Sequence, residues 1–360
     1  MKIIYIFIIS LLFTACAKET IVEKIIEKDM VYRWKSHPSF TYLEATILNS
    51  YASEDSLFML GRKFNILSDT TKVDAGYCQS YLRNSRFDIN TKTPINALFF
   101  LEYFLPTNNI GVLPTKNAMY SGTGSYLDMK TIDSTFTGFE FIDMRSGSEC
   151  IKINNKNQIL VPYRSYTSAS VLFLLLDVKK RLGTFTDVYL EMNTTKIIKM
   201  PFENTTSFLN NLFSNKDYFI ANLQNTYKIN SDGSFHKIFD GSLRPMFQKN
   251  DTLYGTFQGK LYRSVDECES WTDTGVFQNS LSSLFCYFIG NEIIGTNYGQ
   301  LFHITTTKDG LTVREIDNNG LANNYITSVS KFKNSVFVTS LTGVYYIPYK
   351  DFFTYKTAAK

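Results

Sequence analysis

The chain is predicted to be all-β, a closed ring of four-stranded units, and three observations predict it. First, an Asn- or Asp-centred turn recurs between short apolar runs. It falls at Glu54-Asp55-Ser56, Thr107-Asn108-Asn109, Asn155-Lys156-Asn157, Asn215-Lys216-Asp217, Lys249-Asn250-Asp251, Gly290-Asn291 and Lys333-Asn334. Second, a compact run of strand formers follows each turn, among them Leu57-Phe58-Met59-Leu60, Ile159-Leu160-Val161 and Val336-Phe337-Val338. Third, Gly255-Thr256-Phe257-Gln258-Gly259-Lys260-Leu261-Tyr262 returns 40 residues later, as Gly295-Thr296-Asn297-Tyr298-Gly299-Gln300-Leu301-Phe302. It returns again as Thr339-Ser340-Leu341-Thr342-Gly343-Val344-Tyr345-Tyr346. A supersecondary unit of this length, rich in β-formers and turn residues, marks a toroidal array, the β-propeller.

The amino-terminal end is an address, not part of the ring. Met1-Lys2, an apolar run from Ile3 to Phe13 and the small residues Thr14-Ala15 describe a secretory leader over 1–15. The run falls short of the ~20 residues that a spanning helix needs. Leu12-Phe13-Thr14-Ala15-Cys16 resembles the lipobox of bacterial lipoproteins, with Phe13 where that pattern usually has Leu. The resemblance implies that Cys16 becomes the new amino terminus and carries lipid (palmitate). Ala17 stands where an Asp would favour inner-membrane retention, so the expected address is the outer membrane, periplasmic or surface-exposed.

Residues 16–36 are expected to be the lipidated Cys16 and a tether, and 37–358 the propeller. Within the tether, Ile21-Val22-Glu23-Lys24-Ile25-Ile26-Glu27-Lys28 repeats a four-residue unit. It fits a solvated spacer or a partner-binding helix.

Bulk composition bounds the rest. With 360 residues and 44% hydrophobic content, the chain can bury a large core, and an all-β array of this length counts as one domain. Thirty Phe and 23 Tyr against 2 Trp suit strands, where flat rings pack between sheets. A net charge of +4 with no basic stripe argues against nucleic acid as a partner. Cys78, Cys150, Cys268 and Cys286 show no Cys-x-x-Cys spacing, which argues against zinc and redox motifs. An oxidising compartment permits disulfides among them, and mostly free, buried thiols are favoured because each lies in a different register of the repeat.

The carboxy-terminal third shows the repeated unit best. A first strand (Pro245-Met246-Phe247, Leu284-Phe285-Cys286-Tyr287-Phe288, Ile326-Thr327-Ser328-Val329) precedes the Gly-Thr strand. A tight Gly turn leads to the aromatic strand, and a fourth follows, as in Val313-Arg314-Glu315-Ile316 or Phe352-Phe353-Thr354-Tyr355. Units are expected over 40–80, 95–142, 148–192, 205–241, 242–279, 280–319 and 320–357, with insertions near 81–94 and 193–204. That favours seven blades and leaves six and eight open. Val171-Leu172-Phe173-Leu174-Leu175-Leu176 reads as a buried strand.

Ser264-Val265-Asp266-Glu267-Cys268-Glu269-Ser270-Trp271 resembles the Asp-box (BNR repeat) of sialidase-type propellers, Ser-x-Asp-x-Gly-x-x-Trp. Ser264, Asp266 and Trp271 match, and Cys268 replaces the Gly. The resemblance implies that Ser264 and Asp266 bond turn amides and that Trp271 wedges against a neighbouring strand. Asn319-Gly320-Leu321-Ala322-Asn323-Asn324-Tyr325-Ile326-Thr327-Ser328-Val329 is similar to the blade opening of two-component-regulator-type propellers. Neither motif specifies an activity.

Catalytic chemistry finds no footing. A sialidase would need an Arg triad, yet Arg-Pro occurs only at Arg244-Pro245, and Arg164, Arg181, Arg244, Arg263 and Arg314 are scattered as solvated strand-end residues would be. His37, His236 and His303 each stand alone, as surface or strand-edge residues, so no metal site, cofactor or catalytic residue is expected. The reading is a non-catalytic propeller lipoprotein that binds or scaffolds a protein or glycan partner. Two alternatives stay open: an assembly factor for a membrane complex, as some Asp-box propellers are, and a sialidase-like glycan hydrolase. Carboxylates clustered on the ring axis would favour the hydrolase, and an aromatic face without them would favour binding.

Overall fold

The computed structural model describes residues 32–36, 45–52, 56–63, 79–83, 86–89, 112–114, 118–121, 126–139, 152–182, 188–201, 209–277, 284–307, 310–321 and 325–356. The leader, Cys16, His37, Cys78, Cys150 and the turns at Glu54-Asp55 and Thr107-Asn108-Asn109 lie outside them.

The first strand, β1 (Lys35–Ser36), finds its partner at the far end of the chain. β2 (Ala45–Ala52), β3 (Ser56–Lys63), β4 (Gln79–Arg83) and β5 (Arg86–Ile89) form an antiparallel sheet. β6 (Val112–Pro114), β7 (Ala118–Ser121) and β8 (Tyr126–Asp128) form the next. After the one-turn helix α1 (Met129–Ile132) comes a five-stranded sheet: β9 (Phe136–Phe139), β10 (Lys152–Ile153), β11 (Gln158–Ser165), β12 (Ser168–Leu182) and β13 (Val188–Lys199).

Three four-stranded sheets follow in simple meander order. The first is β14 (Asn211–Asn215), β15 (Tyr218–Asn222), β16 (Thr226–Asn230) and β17 (Phe235–Phe239). The second is β18 (Arg244–Lys249), β19 (Thr252–Phe257), β20 (Lys260–Ser264) and β21 (Thr272–Val276). The third is β22 (Phe285–Ile289), β23 (Glu292–Asn297), β24 (Gln300–Thr307) and β25 (Gly310–Ile316). β26 (Ile326–Phe332), β27 (Ser335–Ser340) and β28 (Gly343–Pro348) make the last sheet, and β1 is its fourth strand, through Lys35↔Tyr346 and Ser36↔Tyr345. The helix α2 (Tyr349–Phe352) ends the description of elements.

Hairpin chemistry explains the regularity. Asn157, Lys216, Asn250, Gly290 and Lys333 adopt left-handed backbone at φ 58°, 41°, 53°, 64° and 52°. Each lies in a turn expected from the sequence, where Asn and Gly carry the least steric penalty. Gln258 and Gly259 both have positive φ, 49° and 72°, the requirement of a two-residue turn that matches strand twist. The recurrent Gly of the Gly-Thr strand has a packing cause. A Cβ on Gly255 would meet Leu243 Cδ2 at 2.8 Å, and one on Gly295 would meet Leu284 Cδ1 at 2.9 Å. In each sheet the Leu before the first strand sits over the Gly of the second.

The first strands β10, β14, β18, β22, β26 and β2 stand side by side in that order, so they surround a common axis. The core is divided accordingly into wedges between successive sheets. Leu212, Phe219 and Tyr227 meet Phe173 and Leu175 in one wedge, and Ile293, Ile304 and Phe302 meet Phe247 and Tyr254 in another. A ring of meander sheets joined by wedge-shaped cores is a β-propeller. Residues 171–176 form the buried centre of β12, as expected.

Three expectations need correction. The stretches near 81–94 and 193–204 hold strands: β4 and β5 complete the first sheet, and β13 pairs with β12 along its length. Residues 193–197 are exposed polar or amphipathic positions on an outer strand, which is why they read as a loop. Residues 352–355 are not the fourth strand of the last unit. β1 already occupies the free edge of β28, so the chain turns away through α2 and Tyr355 bridges to Ile316 instead. The ring therefore begins before His37, because Trp34 is 2% exposed and its Nε1 donates to the Asp317 carbonyl at 3.2 Å.

Candidate functional site

Four of the inner strands open at one end of the axis: β10 with Lys152, β14 with Asn211, β18 with Arg244 and β22 with Phe285. These ends line a cavity of about 120 Å³, completed by Phe213, Met246, Cys286 and Tyr287 among others. Among the described residues its lining holds two cationic side chains and no carboxylate.

Local structure aims these groups. The register of β18 on β19 slips between Pro245 and Phe247, a bulge at the residue that has no N–H to give the ladder. The Arg244 guanidinium carbon then lies 4.8 Å from the centre of the Phe285 ring. Tyr287 points its hydroxyl at the Thr327 carbonyl, 2.9 Å away, and so presents ring carbons to the cavity.

Elsewhere around the axis the inner strands close on one another. Ser50 Oγ lies 2.6 Å from Ser328 Oγ and 2.9 Å from Ser330 Oγ, and Thr339 Oγ1 lies 2.6 Å from Ser328 Oγ. This hydroxyl seam joins β2 to β26 and satisfies groups that burial would otherwise penalise.

The cavity face carries an aromatic pair as well. Phe285 pairs with Thr296 and Asn297 with Gln300, so the start of β22 and the β23–β24 turn share one end of their sheet. Tyr298 in that turn is 70% exposed, and its ring meets Tyr325 edge-on at 5.8 Å.

Ser264, Asp266 and Trp271 are brought together in the β20–β21 connection, away from the cavity. Ser264 Oγ donates to Asp266 Oδ1 at 2.8 Å and accepts the Cys268 N–H at 2.9 Å. Asp266 Oδ1 accepts the Ser270 N–H at 3.0 Å, while Oδ2 accepts its hydroxyl at 2.5 Å. Those Ser270 bonds, hydroxyl first, hold the Asp266 carboxyl down to about 2. Glu267 and Cys268 adopt left-handed backbone, φ 58° and 69°.

The Cys268 side chain is buried with Tyr218, Ile220, Ile238 and Leu253, and Trp271 packs on the same cluster, which spans the sheets on either side. Burial pushes the Cys268 thiol up to about 12, which makes it inert. Three contacts staple the hairpin to the preceding sheet: Glu269 to Lys228 at 2.5 Å and to His236 at 3.0 Å, and Glu267 to Lys216 at 2.9 Å. The arrangement is a mechanical joint.

Sequence reasoning passed over the cavity residues. Arg244, expected as a solvated strand end, is half-buried at the axis, whereas Arg314 is exposed as expected and lies over the Tyr355 ring, 3.6 Å from its centre. Arg164 and Arg263 are exposed, as expected. The missed signal was position: Lys152 and Arg244 each open the first strand of a unit. His236 is an exposed residue bonded to Glu269, but His303 bridges Glu292 Oε2 at 2.7 Å and Tyr355 Oη at 2.8 Å, with 14% of its side chain exposed. Cys268 is a buried thiol and Cys286 a half-buried one.

No protein-family model and no characterised protein matches the sequence. Solved structures do resemble the fold. A catalytically inactive variant of virginiamycin B lyase from Staphylococcus aureus, with quinupristin, superposes with a TM-score of 0.52 at 9% identity, over 88% of this chain and 98% of that one. YCF48 bound to D1 peptide superposes with a TM-score of 0.51 at 11% identity, over 88% of this chain and 96% of that one. The fold is that of a β-propeller. At such identities the likeness carries the fold and no activity, since propellers with unlike roles share it.

Proposed function

We propose that this chain is a non-catalytic, outer-membrane-anchored lipoprotein whose seven-bladed propeller binds or scaffolds a protein or glycan partner at the axial cavity. One observation carries the reading: among the described residues the cavity lining combines Lys152 and Arg244 with Phe213, Phe285 and Tyr287 and includes no carboxylate. Glycoside hydrolysis generally works with a pair of carboxylates flanking the scissile bond, whereas this lining is made to hold a ligand. The lipobox-like Leu12-Phe13-Thr14-Ala15-Cys16 supports the anchor. The bonds of Ser264 and Asp266 to turn amides support reading that hairpin as a structural Asp-box.

Affinity capture of the tagged full-length protein from its own membrane, with partner identification, tests the proposal. Capture is expected to be lost in Arg244→Ala and kept in Trp271→Phe; the reverse pattern would place the partner on the hairpin and refute the axial reading. A captured subunit of a membrane complex would favour the assembly role; the similar propeller YCF48, bound to D1 peptide, is a precedent for peptide binding on this fold.

A further inference from the structure

We infer that the axial cavity takes an organic anion: an oxyanion head between Arg244 and Lys152, carried on an apolar body lying against Phe213, Phe285 and Met246. This rests on the binding reading above and adds the chemistry of the ligand.

Charge is the first argument. Lys152 and Arg244 come from sheets separated by a third, yet both line one volume of about 120 Å³. An oxyanion placed between them is attracted by both cations, in addition to the partners each already has. Geometry is the second. A guanidinium held over the Phe285 ring, 4.8 Å from its centre, has planar N–H donors that can grip an oxyanion edge-on. Lysine adds a point charge without directional demand.

The apolar body follows from the remaining walls. Met246 is 7% exposed, Phe213 and Phe285 are half-buried, and Tyr287 has its hydroxyl engaged by Thr327. A polar body there would exchange water for ring carbons at a loss. The volume suits one small acid or a single side chain. Whatever the head is attached to leaves across the face that carries exposed Tyr298 and its partner Tyr325.

Calorimetric titration of the full-length protein in detergent tests this with three probes: 3-phenylpropionate, its uncharged amide 3-phenylpropanamide, and inorganic phosphate. The acid is expected to bind about tenfold or more tightly than the amide, and more tightly than phosphate. Arg244→Gln and Lys152→Gln should each weaken the acid about tenfold, with Arg244→Lys in between. Equal binding of acid and amide, no binding of the acid, phosphate binding as tight as the acid, or wild-type affinity in both Gln variants would each overturn the inference.

Melting curves show whether Arg244→Gln folds. If it does not, Lys152→Gln, on a different sheet, carries the comparison. The same variants in the capture experiment separate the two readings. Failure of the acid with the partner still lost in Arg244→Gln sinks the ligand chemistry alone. Binding of the acid with capture unchanged supports the anion site and sinks the axial partner.

Discussion

The indole of Trp34 stands edge-on to the ring of Phe352, centroids 5.9 Å apart and planes at 88°, so the two ends of the described chain share one core. Around this contact the backbone is cross-tied. Trp34 N–H donates to the Asn319 carbonyl at 3.2 Å, Arg33 pairs with the Asp317 carboxylate at 3.2 Å, and Arg33 also donates to the Asp351 carbonyl. Gly320, at φ 94°, has the Trp34 carbonyl 2.8 Å from where a Cβ would stand. These contacts clasp the ring closed.

Trp34→Ala is therefore expected to destabilise the fold by about 3–5 kcal/mol, read as a fall in the chemical denaturation midpoint. Lys35→Ala, at an exposed position of β1, should move it by no more than about 0.5 kcal/mol. Equal effects would show that the clasp contributes through its strand pairing and not through the indole.

At the Ser264–Trp271 hairpin, two substitutions separate packing from polarity. Trp271 is partly buried, and its Nε1 is buried with no acceptor among the described residues. Trp271→Ala should cost about 2–3 kcal/mol, less than a fully enclosed indole, whereas Trp271→Phe drops the unsatisfied N–H and should cost under about 1 kcal/mol. Asp266→Ala frees the Ser270 amide and hydroxyl and should cost about 1–2 kcal/mol. Thermal melts of the three variants rank them.

The same carboxylate sets a pH dependence. Asp266 is held at about 2 in the folded state against an ordinary value of 3.8. A depressed carboxylate contributes stability that is fully present above its unfolded value and is lost as pH falls through the folded one. Melting temperature should thus drop between about pH 4 and pH 2, and Asp266→Asn should flatten that part of the profile. Because the group is exposed, screening keeps the effect small, well under the full linkage value.

What was legible in the sequence follows from the range of each interaction. Turn positions were readable because a left-handed residue declares itself locally, as at Asn157, Asn250 and Gly290. The Gly-Thr repeat was readable because Leu243 over Gly255 recurs as Leu284 over Gly295. The partner of β28 was not, since β1 is a two-residue strand at the opposite end of the chain and its identity depends on ring closure. Nor was the cavity, because Lys152, Arg244 and Phe285 belong to three units and meet only when the first strands surround the axis. Outer strands such as β5, Arg86–Ile89, alternate charged with apolar residues over a very short run, so they hide among loops.

For the anchor, Cys16→Ser is expected to move the protein from the membrane to the soluble extracytoplasmic fraction, since Cys16 alone follows a signal-type apolar run and small residues. Fractionation with the variant still in the membrane would sink the lipid assignment. Limited proteolysis of the mature protein should trim it up to about residue 31 and stop at the clasp, leaving the melting temperature unchanged.

The last prediction concerns an asymmetry at Lys228 and Glu269. The ammonium is 9% exposed, lies 2.5 Å from the Glu269 carboxylate and stands 4.6 Å from the centre of the Tyr218 ring, whereas the Glu269 side chain is 49% exposed. The two partners thus lose unequal amounts of water on folding, and removing them has unequal consequences. Glu269→Gln leaves a buried cation with a weaker acceptor and the Tyr218 face, and should cost about 1–3 kcal/mol. Lys228→Met removes the charge that had to be desolvated, keeps the stem's contacts and leaves Glu269 with the exposed His236 as its partner, so it should fall within about 1 kcal/mol of the parent in either direction. The double variant should resemble Lys228→Met, since the one contact the glutamate keeps, to His236, is a surface one. Denaturation of all three closes the cycle. If Lys228→Met is the costlier single change, the ion pair itself holds the hairpin to the preceding sheet, and the desolvation argument is wrong at this joint.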